Sequence, residues 1–153
     1  MAYHIALFAH EFQPFDYLQQ QQSITSVTGA QSVFVGYMRD FRSDDSDKAT
    51  ITGMTISHYP GMTEKQLDKL AAQLHNDYHL LDLVIAHRVG EVKPTSPLVL
   101  VAATAVHRRN AIEAVSEALE TLKHRAPFWK QEHLSNGQSR WVTANTQNHV
   151  QRS

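Results

Sequence analysis

Two amphipathic stretches, each set between short β-rich runs, constrain this chain more than any other feature. Leu67, Leu70, Leu74 and Tyr78 recur at helical spacing after Thr63-Glu-Lys-Gln66, which reads as a capping box. Ile112, Val115, Leu119 and Leu122 mark a second such helix, ending before Pro127. A short helix is also expected from Pro14, where proline is tolerated in the first turn. Strands are expected over residues 2–8, 30–36, 49–58, 82–92 and 98–106, then on either side of the Ser135-Asn-Gly137 turn. Links of hairpin length favour a mostly antiparallel sheet with two principal helices packed on it, which is an α+β arrangement. At 153 residues and 42% apolar composition, residues 1–153 are expected to form one domain with one core. The polar segment Asp40–Lys48 reads as a mobile surface loop.

Composition excludes several chemistries. Cysteine is absent, so disulfides, thiolate metal sites, cysteine nucleophiles and persulfide relays are ruled out, and any sulfur chemistry must draw on an outside donor. Fourteen Lys+Arg balance 15 Asp+Glu, so no global field favours nucleic acid or an anionic membrane. The longest apolar run, Leu98–Val106, is too short to cross a bilayer, and a cytoplasmic location is expected. Among the ten histidines, His75 and His79 stand at i and i+4, but Asn76 occupies the place of a zincin glutamate and no third ligand is near; no metal site and no cofactor are expected.

One group of residues suits a small anionic substrate: Arg39 at a strand end, His107-Arg108 at a strand-to-helix junction, Lys123 near that helix's far end, and Lys130 beyond the proline. Guanidinium groups grip phosphate oxygens in pairs, and a lysine supplies a compact charge, a base or a nucleophile. Two readings stay open at this level: a convergent pocket, or solvated charges with Lys123 complementing its helix dipole. Phe128-Trp129 is likewise either a stacking platform or core.

The segment Leu122-Lys-His-Arg-Ala-Pro-Phe-Trp-Lys-Gln-Glu132 closely resembles the active-site stretch of molybdopterin synthase large subunits. Further resemblance, in the same order, lies in Phe34-Val-Gly36 followed by Arg39, His58-Tyr-Pro-Gly-Met62, His87-Arg-Val-Gly-Glu91, His107-Arg108, and Gly137 ahead of Trp141. The similarity spans residues 30–142 and departs at Ser57 and at Thr95-Ser96-Pro97. It implies an α/β hammerhead-type fold and a sulfurtransferase of molybdenum cofactor biosynthesis. It also implies a homodimer of large subunits within a heterotetramer, with a ubiquitin-like small subunit at each end. The small subunit's Gly-Gly tail would carry the sulfur as a thiocarboxylate. The substrate implied is cyclic pyranopterin monophosphate, or precursor Z, a small phosphorylated pterin converted to the dithiolene of molybdopterin. Residue by residue, the resemblance assigns catalysis to Lys123 and Lys130, and anion binding to Arg39, His107 and Arg108. Tyr37, Met38, Gln131 and Glu132 are its flanking substrate contacts.

Overall fold

The computed structural model describes residues 2–41 and 49–142. The elements are β1 (Tyr3–Phe8), α1 (Pro14–Gln21), β2 (Ala30–Tyr37), β3 (Ile51–His58), α2 (Met62–Asp77), β4 (Asp82–Arg88), β5 (Gly90–Val92), β6 (Pro97–Ala105), α3 (Arg108–His124), β7 (Phe128–Leu134) and β8 (Ser139–Trp141). The α+β class holds, but the strands form two sheets of four rather than one. The first has the order β1-β4-β6-β2, the second β5-β3-β7-β8. All pairings are antiparallel except β1 with β4. Most of the expected Asp40–Lys48 loop, residues 42–48, lies outside the described residues.

The first sheet is covered on both faces, which is why β4 is buried at all seven positions instead of alternating. Leu83, Ile85, Val101 and Ala103 pack on one side under α2 and α3. Val84, Ala86, Leu100 and Ala102 pack on the other with Phe12 and Leu18. The face that α3 turns to the sheet is Ala111, Ala114, Val115, Ala118 and Leu122, whereas Ile112 is exposed. The expected stripe is thus rotated, because alanines let the helix axis approach the strands and the larger isoleucine is left at the rim.

The β-rich run 82–92 divides between the sheets. Gly90, with φ +81°, supplies the turn. Arg88 stabilises the crossing: its guanidinium donates to the carbonyls of Phe8 at 3.1 Å and Glu91 at 2.7 Å. The second sheet closes over Met38, Ile51, Met54, Ile56, Val92 and Leu134, and Phe128 packs against both this cluster and the larger core.

The start of α2 also differs from expectation. Its N-cap is Gly61, whose N–H donates to the Glu64 carboxylate at 2.6 Å. Thr63 is instead buried; its hydroxyl accepts from the Tyr59 N–H at 2.9 Å and donates to the Pro127 carbonyl at 3.3 Å. The threonine therefore ties α2 to the bend between α3 and β7.

Gly29 sits against the end of β6. A Cβ there would lie 2.0 Å from the Val106 carbonyl oxygen, a backbone atom that cannot give way locally. Gly29→Ala is expected to cost about 2 kcal/mol or more and to displace the following His107-Arg108 pair. Urea unfolding measures the first effect, and loss of anion affinity at that junction the second.

Candidate active site

The two ends of α3 hold two of the cationic groups. His107 is the N-cap, in extended backbone conformation, and Arg108 is the first helical residue. No acidic residue stands in the first turn. The positive end of the helix dipole thus faces Arg108 and Arg109 without compensation, an arrangement that favours a bound anion. An open depression of about 460 Å³ is lined there by Arg108, Arg109, Ile112 and Glu113. The Arg109–Glu113 pair, 4.0 Å apart and exposed, neutralises little of this charge. At the opposite end, Lys123 lies in the last turn, where a cation suits the dipole.

The second lysine comes from β7. Strand alternation puts Phe128, Lys130 and Glu132 on one face, and Trp129 and Gln131 on the other. The first face is the inner one: Lys130 pairs in register with Ile56 and Glu132 with Met54, both core residues. Phe128 is partly buried and packs against the core, while Trp129 is half-exposed. Glu132 is buried and accepts a 3.0 Å bond from the Arg140 guanidinium on β8. Gln131 points away from Lys130 and Glu132.

At the end of β2, Tyr37 and Arg39 are exposed, and the Arg39 guanidinium stands 5.7 Å from the Phe41 ring centre. Met38 faces inward and is buried. Its N–H donates to the Ser96 carbonyl and its own carbonyl accepts from Thr95, both at 2.9 Å, so Met38 fixes the strand end from which its neighbours project.

Which groups share an end of the molecule follows from register. Ala30 pairs with Ala105 and Tyr37 with Pro97. Arg39 therefore leaves the first sheet at the end opposite His107-Arg108, roughly 24 Å away along eight paired positions. Helix α3 returns along β6, placing Lys123 about four turns, or roughly 22 Å, from Arg108. Within one chain the structure brings Lys123, Lys130, Glu132 and the Tyr37–Arg39 segment to one end. His107 and Arg108 stand at the other.

Two further residues, given no site role from the sequence, belong to the lysine end. Arg140 is the cation paired with Glu132. His87, at the end of β4, stacks on Phe128 with ring centres 4.1 Å apart and planes 12° from parallel. Burial, and secondarily the Lys130 charge, hold its pKa down to about 3. The signal was present in the His87-Arg88 pair, but strand alternation alone did not say which member faced inward. His75 and His79 do not form a helix-face pair: His79 lies past α2 with φ +52°.

The fold and these groups define an α+β protein of two four-stranded sheets in which one helix carries a cationic start and a lysine at its end. Residues 10–125 match the MoaE protein family. The molybdopterin synthase catalytic subunit of Pseudomonas aeruginosa is 46% identical over 114 residues, covering 74% of this chain and 73% of that protein. The structure of the molybdopterin biosynthesis MoaE protein from Burkholderia ambifaria superposes with a TM-score of 0.76 at 34% identity, over 99% of this chain and 95% of that one. A Helicobacter pylori structure, the complex of subunits 1 and 2 of molybdopterin-converting factor, has a TM-score of 0.73 at 23% identity, over 93% and 92% of the two chains. The chain belongs to the MoaE family of molybdopterin synthase catalytic subunits.

Because His87 is neutral in the fold and titrates at its ordinary value when unfolded, acid favours the unfolded state. Its contribution to stability is complete above pH 6.5 and falls away toward pH 3. Between pH 7 and pH 4 the loss is expected to be about 3 kcal/mol, and His87→Phe should flatten that limb in urea titrations at stepped pH. Parallel declines in both proteins would place the acid sensitivity elsewhere.

Proposed function

We infer that this chain, in the cytoplasm, moves sulfur from a small partner onto a phosphorylated pterin. The partner is a ubiquitin-like small subunit with a Gly-Gly C-terminus, and its thiocarboxylate is the sulfur source. Two successive transfers convert cyclic pyranopterin monophosphate to the dithiolene of molybdopterin. The absence of cysteine supports this reading, since the chain has no thiol of its own with which to relay sulfur. The membership just described and the small-subunit complex of the H. pylori protein support the choice of partner. Among the described residues no helix is long and apolar enough to cross a membrane, in keeping with a soluble substrate.

Lys123 is the group for acid–base or covalent work on the incoming tail and the pterin. Lys130, on the inner face of β7, stabilises negative charge that develops as sulfur is transferred. Arg39, exposed at the end of β2 on the lysine side of the first sheet, is an anion-binding guanidinium. His107 and Arg108, at an uncompensated helix N-terminus, bind the substrate phosphate. Tyr37 borders the substrate, Gln131 lies on the far face of β7 from Lys130 and is not in this contact set, and Met38 and Glu132 act through the strand end and the Arg140 pair that they hold.

The observation that carries this reading furthest is the length of α3. With Arg108 and Lys123 about four turns apart on one helix, a small pterin monophosphate cannot touch both in the same chain. The phosphate site beside each lysine pair is therefore the one belonging to a second copy, and the working unit is a homodimer of this chain flanked by two small subunits.

Lys123→Ala is expected to lower dithiolene formation by about 100-fold or more while leaving the thermal melt unchanged. Arg108→Ala should show a similarly severe loss. Dimers reassembled from equal amounts of the two variants should regain roughly a quarter of wild-type turnover. Half of such dimers are mixed, and each mixed dimer has one intact site. No recovery on mixing would mean that both groups serve the same site from the same chain.

A further inference from the structure

His87 plays no part in the reaction as described above, yet its surroundings set it apart from the other histidines. It is 4% exposed at the end of a strand that is buried throughout. Its Nδ1 lies 2.7 Å from the Arg88 carbonyl oxygen, a contact that requires the proton to be on Nδ1. Burial keeps the ring neutral, and Nε2 then keeps its lone pair. This hydrogen bond fixes the ring's rotation, and the near-parallel stack on Phe128 fixes its tilt.

Phe128 and Lys130 are neighbours on the same inner face of β7. The stacked imidazole thus supports the strand at the point from which the Lys130 side chain leaves it. The ring is close enough for the Lys130 charge to act on it, and it remains neutral. β7 is held in place there by the contact of Phe128 with the first sheet.

We propose that His87 is a positioning residue for Lys130: the pinned, uncharged imidazole braces Phe128 and thereby sets where the Lys130 ammonium stands in the site. The inference rests on the reading of Lys130 as the group that stabilises charge during transfer. His87 itself touches no substrate, so its removal should alter turnover and leave substrate affinity in place.

The test is a double-mutant cycle read by single-turnover dithiolene formation, with the chain in excess over thiocarboxylated small subunit and pterin. His87→Gln, which keeps a polar side chain and loses the ring, is expected to slow the chemical step by about 30-fold and to change pterin KM by less than about threefold. In a Lys130→Ala background the same substitution should change the residual rate by less than about twofold. His87→Phe, which keeps the stack and fills the space, should retain turnover within about fivefold of wild type. His87→Leu, which fills the space but has no ring to stack, takes the glutamine variant's place in the cycle should that variant fail to fold, with the same expected losses. An equal fold-loss in both backgrounds overturns the inference and leaves the role of Lys130 standing. Full activity in Lys130→Ala overturns both. A rise in KM with an unchanged rate would show that His87 shapes binding and not Lys130, and would also overturn it.

Discussion

The antiparallel pairing of β6 with both β4 and β2 is the constraint on which the rest of the structure depends. It places Asp82 beside Thr104, His87 beside Val99, and Tyr37 beside Pro97. Because α3 starts immediately after β6 and must return along it to bury its alanine face, the direction of that helix is settled by the strand before it. From that one direction follow a cationic helix start at one end of the sheet and a lysine at the other.

The second sheet completes the lysine end through a single aromatic contact. Phe128 belongs to the edge of both cores, and its stack with His87 is where β7 meets β4. Burying a neutral histidine here is consistent with a nearby ammonium, since a protonated ring would be repelled by Lys130 and desolvated at the same time. Glu132 on β7 and Arg140 on β8 form the complementary pair beside it. Between these features, the only potentially reactive polar group projecting from the inner face of β7 between Phe128 and Glu132 is Lys130.

The proposed function makes assembly part of the chemistry, because it divides phosphate binding and sulfur transfer between the two ends of one helix. On that proposal each chain offers two half-sites that it cannot use together, and pairing two copies completes both. What the fold itself separates is an exposed His107-Arg108 helix start from a lysine end built against the junction of the two sheets.

Much of the fold was legible in the residues. Period-two and period-3.6 patterns are local, so the ranges of the strands and the existence of both long helices followed from them. The run Leu122–Glu132 located both lysines because the resemblance there is contiguous. Where sequence reasoning slipped, a long-range contact decided the outcome. Thr63 left the helix cap to bind Pro127, Ile112 yielded its inward place to alanines, and the run 82–92 divided at Gly90 between two sheets. The sequence by itself determined most of the elements, the absence of cysteine and the positions of the two lysines in the Leu122–Glu132 run, because these depend on residue type and near-neighbour spacing. Only the tertiary structure decided which charges share an end of the molecule and which histidine stacks on Phe128, because strand register and helix direction are set by packing between residues far apart in the chain.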